Sequence, residues 1–183
     1  MWRFDANRAN GIIGDLGSHL IHLAQWYLGN VVSVTSSLGF HADHEALEDG
    51  ITNPANDSAF FTLEFDTGAQ IQFYITASAA APMQLSLRLQ GERGFINAGW
   101  NSKTDETMVS VQQKETDDPI VDTESIDYQE FINSNPVGAR LFVDCILDDK
   151  DVYPGLKEGY KVQKIIDAVI ESHSTGRRIL IDS

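Results

Sequence analysis

The chain predicts an α+β fold: a mostly antiparallel open sheet with helices packed on one face. The order of its segments carries the prediction. One helix-period segment comes first, about five strand-like runs follow in succession, and two helix-period segments and a short strand close the 183 residues. The turns between the strand-like runs are short, and short turns join only antiparallel neighbours. Neither an internal repeat nor a low-complexity stretch points to another architecture.

Residues 14–28 read as a helix, with Leu16, Leu20, Leu23 and Tyr27 at helical spacing and Gly29-Asn30 as its stop. Residues 31–40 are β-branched and alternating, the pattern of a strand. Residues 41–58 form a polar, acidic loop long enough for a functional role. A meander follows: a strand at 59–65, the turn Asp66-Thr67-Gly68, and a strand at 69–77. Ala79 to Pro82 leads to a strand at 83–90 with Leu85, Leu87 and Leu89 on one face. Gly91-Glu92-Arg93-Gly94 turns it back into strands at 95–100 and 108–113. Residues 115–130 hold seven acidic side chains without a period, which reads as an irregular solvated segment. Residues 136–149 are helical, opened by Pro136, with Leu141, Cys145 and Ile146 as the apolar side. Val162, Ile165, Ile166, Val169 and Ile170 make the stripe of a helix over 156–174, stopped by Gly176 before a last strand at 177–182. The free face of the sheet is expected to carry Phe61, Leu63, Phe65, Ile71, Phe73 and Ile75, or their neighbours. If apolar, that face requires a partner chain or domain.

Composition narrows the function. There are 13 Lys+Arg against 27 Asp+Glu, a formal charge of −14. That balance argues against nucleic acid, whose phosphates need a basic surface, and against an anionic membrane. A single cysteine, Cys145, excludes an internal disulfide and a Cys-rich zinc site, so a reduced, cytoplasmic setting is the default expectation. Its place on an apolar helix side predicts a buried structural thiol. No apolar run approaches the ~18 residues of a membrane span, and the N-terminus lacks the apolar region of a signal peptide.

Asp15 and His19 are four apart on the first predicted helix, so they share a face one turn apart. A carboxylate so placed can bond an imidazole, fix its tautomer and raise its basicity, the arrangement that takes a proton from a hydroxyl. The plainer reading is a helix N-terminal carboxylate and a polar edge histidine. His22, three further on, makes the triple a candidate metal face, to which His41, Asp43 and His44 could add ligands. Arg3 is a candidate for holding an anionic group of substrate or cofactor. Gly11-x-x-Gly14-x-x-Gly17 lacks both the dinucleotide-binding spacing and a preceding strand, so it is not read as a phosphate cradle. Trp2, Trp26 and Trp100 come without a basic groove and read as core or edge aromatics.

The segment from Trp2-Arg3 through Gly11-Ile-Ile-Gly-Asp15-Leu-Gly17-Ser-His19 to Leu28-Gly29 resembles the C-terminal domain of the glucose–fructose oxidoreductase, inositol dehydrogenase and MocA family. Asp57, Asp66-Thr67-Gly68, Gly91-x-x-Gly94-Phe95 and Ser172-x-x-x-Gly176 fall in the family's order. The resemblance, which covers nearly the whole chain, implies a dihydrodipicolinate reductase-like fold. It implies that residues 1–183 are the substrate-binding and oligomerisation domain of an NAD- or NADP-dependent oxidoreductase acting on a sugar, polyol or related hydroxylated compound. Asp15 and His19 match the family's catalytic and substrate-binding pair, and a dimer or tetramer through the open sheet face is implied. The chain has neither the family's G-x-G-x-x-G nor its Glu-Lys-Pro, so the cofactor is expected on an N-terminal Rossmann domain that this chain lacks, and the fragment alone is expected to be inactive. It also has His22 where the family usually has Asp. Two alternatives stand beside this reading: a non-catalytic binding or assembly module, and a metal-dependent hydrolase or isomerase using Asp15, His19 and His22.

Overall fold

A computed structural model describes residues 2–41, 53–80, 83–104, 106–114, 120–122, 133–134 and 138–182. A 3-10 turn at Trp2–Phe4 and a π-helical turn at Ile13–Gly17 precede α1 (Ser18–Leu28). Seven strands follow: β1 (Val31–Gly39), β2 (Ser58–Phe65), β3 (Gln70–Thr76), β4 (Gln84–Gly91), β5 (Gly94–Asn101), β6 (Glu106–Gln113) and β7 (Ile120–Asp122). Helices α2 (Ala139–Leu147) and α3 (Leu156–Thr175) and the short β8 (Ile179–Leu180) complete the order. The fold is α+β as expected, and every strand pairing is antiparallel.

The single sheet expected from the meander is instead two four-stranded sheets, ordered β3-β2-β1-β8 and β4-β5-β6-β7. Pairing ends at Thr76 and resumes at Gln84, with Pro82, which has no amide donor, between them in the sequence. The acidic stretch at 115–130 supplies one strand, β7; the rest of it lies outside the described residues, as do 42–52 of the long loop. The chain divides accordingly into two units, Met1–Ala79 with Asp151–Ser183, and Ala80–Lys150.

The first unit holds the core. Phe61, Leu63, Phe65, Phe73 and Ile75 are buried with Ile13 and Ile21 at the start of the chain and Val162, Ile165, Ile166 and Val169 of α3. Phe61 and Phe73 stack with ring centroids 4.6 Å apart. These strand residues therefore face the helices, not the free side. The free side carries their neighbours, with Phe60 opposite Tyr74, Thr62 opposite Gln72 and Glu64 opposite Gln70, and is mostly polar. A register shift between Val31 and Ser33 sets which residues of β1 point inward.

α3 is fastened to β1 by side chains. Ser172 Oγ accepts from the Ser36 N–H at 3.0 Å and donates to the Arg177 carbonyl at 2.7 Å. His173 Nδ1 accepts from the Leu38 N–H at 3.2 Å. β8 pairs only Ser33 and Val34 of β1, so these contacts cap edge amides that would otherwise be open. Gly176, at φ 65°, ends α3 in the left-handed conformation and returns its N–H to Ser172.

In the second unit none of the described residues is buried. Leu85, Leu87 and Leu89 of β4 sit opposite Trp100, Ala98 and Ile96 of β5, and Val109 and Val111 of β6 continue the same apolar face. Cys145 on α2 is only partly buried and Ile146 is 63% exposed, so the fully buried thiol and apolar helix side expected there are not observed. Without a covering element among the described residues, amphipathic patterning alone does not bury them.

Candidate functional site

The site begins with how α1 is entered. Gly11 has φ +66°, and a Cβ there would stand 2.3 Å from the Asn56 carbonyl oxygen, so no other residue fits. That close approach lets Asn56, itself buried, hold three groups at once. Its carbonyl accepts from the Ile12 N–H at 2.9 Å, its Oδ1 accepts from the Ile13 N–H at 3.1 Å, and its Nδ2 donates to the Asn10 carbonyl at 2.8 Å. First-turn amides otherwise lacking partners are thus satisfied from a distant segment. The glycines of Gly11-x-x-Gly14-x-x-Gly17 serve this entry and the packing of Gly17, whose Cβ would meet Ile13 at 2.7 Å and Ile75 at 3.3 Å.

The next five residues form the π turn, a rare conformation that recurs at functional sites. It carries Asp15. The Arg3 guanidinium donates to Asp15 Oδ2 at 2.6 Å, with side chains 43% and 31% exposed. An ion pair this exposed adds little stability, about 0–1 kcal/mol, so its consequence is placement of the carboxylate. Helical spacing suggested an Asp15–His19 hydrogen bond; among the described residues Asp15 bonds Arg3 instead. The widened turn changes the angle between positions 15 and 19 from that of a regular helix. Arg3 is accordingly a partner of Asp15 rather than a free cation.

His19, exposed in the first turn of α1, lines an open groove of about 380 Å³ between α1 and α3. Gly14, Ser18 and His22 line it from one side, and Gly155, Glu158 and Gly159 from the other. Glu158 Oε2 accepts from the Gly155 N–H at 2.9 Å, closing the first turn of α3. That bond, with smaller help from Lys157 and Lys161, holds the Glu158 carboxyl below its ordinary value of 4.5. The α3 wall lay far from α1 in sequence and was not anticipated as part of a site. Its signal was present in Gly155 followed three residues later by Glu158, which marks a helix start, and in Gly159 inside the helix.

The metal face is not assembled. Among the described residues no group of three or more His, Cys, Asp or Glu side chains is placed to hold an ion. Asp15 is engaged by Arg3, and His22 lies part-buried beside Tyr153, ring centroids 6.3 Å apart. Asp43 and His44 lie outside the described residues. His41 donates its N–H to Asp57 Oδ2 at 2.5 Å, and fully buried Asp57 is a fastening at the start of β2. Among the described residues no helix is long and apolar enough to cross a membrane.

Residues 1–181 match the family described as oxidoreductase family, C-terminal alpha/beta domain, with Gfo, Idh and MocA as its namesakes. Solved structures share the fold. A levoglucosan dehydrogenase complex with NADH superposes with a TM-score of 0.80 at 22% identity, over 100% of this chain and 54% of that one. An NAD binding oxidoreductase from Klebsiella pneumoniae gives 0.76 at 20% identity, over 100% and 54%. Aldose-aldose oxidoreductase from Caulobacter crescentus, complexed with glycerol, gives 0.76 at 18% identity, over 99% and 51%. The chain spans about half the length of these structures. No curated protein matches it by sequence.

Proposed function

The chain belongs to the Gfo/Idh/MocA oxidoreductase family through its C-terminal alpha/beta domain, and from that premise we propose that it forms the substrate-binding half of an NAD- or NADP-dependent oxidoreductase acting on a sugar, polyol or related hydroxylated compound. The observation that carries the proposal is the pairing of Arg3 with Asp15 at the mouth of α1, beside an exposed His19 that opens on a groove. His19 takes the proton of the substrate hydroxyl as the adjoining carbon is oxidised; loss of hydride from that carbon is easy only as the oxygen's charge develops. Arg3 holds Asp15 in place, and the Asp15 carboxylate orients substrate and balances a protonated His19. Accepting the hydride is the part of a nicotinamide nucleotide. The glycine-rich entry of α1 does not fit such a group, because Gly11 packs against Asn56, Gly14 against Asn10 and Gly17 against Ile13 and Ile75. In this reading the nucleotide sits on another domain.

The levoglucosan dehydrogenase and aldose-aldose oxidoreductase likenesses support the substrate class. The test uses the full-length protein with NAD and NADP against a panel of sugars and polyols. His19→Ala and Asp15→Asn should each lower kcat by about 10²-fold or more, the usual scale for a proton-transfer group. Rates close to wild type for both variants remove them from the mechanism.

The assembly is a homo-oligomer whose interface covers the apolar face of β4–β6. The occupant is a second copy because the face is continuous, apolar and uncharged over three strands. Three strands ~4.8 Å apart and about eight residues long present roughly 380 Å² per copy, the apolar centre of a larger interface. Its residues, Leu85, Leu87, Leu89, Ile96, Ala98, Trp100, Val109 and Val111, bear no charge, so the strongly acidic chain does not repel itself there.

A further inference from the structure

The groove between α1 and α3 has a feature that proton transfer at His19 does not use. His22 Nε2 is sealed from solvent and has no hydrogen-bond partner among the described residues. A buried polar nitrogen left unpaired is uncommon and requires an explanation. His22 lines the same groove as His19, three residues along one helix face, where side chains are neighbours with Cβ atoms about 5–6 Å apart. The facing wall is shaped by what it lacks. Gly159 sits inside α3, where glycine is unfavourable relative to alanine, and nothing stands within 4 Å of where its Cβ would be. The missing side chain leaves the groove open opposite the two histidines, and its volume of about 380 Å³ suits a small-molecule site.

We infer that this groove seats the end of a polyhydroxylated substrate remote from the reacting carbon, and that His22 is a specificity-determining residue there. The inference rests on the reading of His19 as the group that meets the reacting hydroxyl. A ring compound bonded to His19 brings a further hydroxyl over His22. A small turn of the imidazole then presents Nε2 to that hydroxyl and satisfies the nitrogen. Glu158, through the oxygen not bonded to Gly155, and Gln163, through its amide oxygen while its nitrogen donates to Asp167 at 2.8 Å, line the same groove and accept from other hydroxyls. A short polyol reaches His19 alone.

The experiment follows the imidazole resonances of His19 and His22 in the full-length protein, titrated with D-glucose, myo-inositol and glycerol. A six-carbon probe is expected to shift both histidines, and glycerol only His19. Gly159→Leu should weaken the six-carbon probes about tenfold or more by filling the groove, with glycerol unchanged. Gly159→Ala, which should raise Tm, checks that α3 accepts a side chain there. If His19 responds while His22 does not, and Gly159→Leu binds the six-carbon probes like wild type, the substrate lies elsewhere: the inference is overturned and the His19 reading stands. If neither histidine responds to any probe, the His19 reading fails and the inference fails with it.

Discussion

The two units bury their apolar residues to very different degrees. In the first, β1–β3 press Phe61, Leu63 and Phe73 against α1 and α3, and Phe61 and Leu63 are fully buried. In the second, β4–β6 present a face just as apolar in sequence, yet none of the described residues is buried and Leu85 is 47% exposed. Strand patterning is therefore common to both, and burial is not. A sheet gains stability from its apolar face only when something covers it. The first unit brings its own cover and carries the candidate site; the second depends on a surface from outside its described residues.

The sharpest way to break this comparison is to truncate one apolar residue in each sheet. Phe61→Ala should cost about 3–5 kcal/mol and lower Tm by ten degrees or more, whereas Leu87→Ala in the separated monomer should cost under about 1 kcal/mol. Equal losses in urea unfolding would show that the second unit has a closed core after all. Gly11→Ala tests the entry to α1, because it combines a left-handed backbone with a clash against Asn56. Its expected cost is about 2–3 kcal/mol, read as a lower urea midpoint. A cost within error of zero would mean that the turn relaxes freely.

Assembly is the next lever. Val109→Asp places a charge in the second sheet's apolar face and should shift the protein toward monomer in sedimentation velocity, while Thr62→Asp on the polar face of the first sheet should not. The reverse pattern would move the interface to the first unit. The smallest effect expected is at Glu158. Its carboxyl is held low chiefly by the Gly155 N–H, so its stabilisation is complete above the ordinary value of 4.5 and is lost as pH falls through the lower folded value. The acid-side drop in Tm should therefore be shallower in Glu158→Gln than in wild type; superimposable profiles would assign the drop to other carboxyls.

Much of this was legible in the residues. The strands at 31–40, 59–65 and 69–77 match β1, β2 and β3 within a residue or two, because alternation and turn chemistry are local. The helix at 156–174 matches α3 because its stripe and its glycine stop are local as well. β7 was hidden because the charges around it mask a three-residue strand that depends on its pairing with β6. Asp15 and His19 stood out by their spacing, and the family match covers both positions, but the π turn and Arg3's hold on Asp15 could not be read from that spacing.

The sequence by itself determined the kinds of elements, their order and the family, since each rests on neighbours within a few residues of one another. Only the tertiary structure decided which face of β2 and β3 is inward, where one sheet becomes two, and what the Asp15 carboxylate touches. Arg3 reaches Asp15 across 12 positions and Asn56 reaches Ile13 across 43. Alternation with period two is satisfied equally well by either face, so the choice falls to whatever covers the sheet, and that is settled by contacts far apart in the chain.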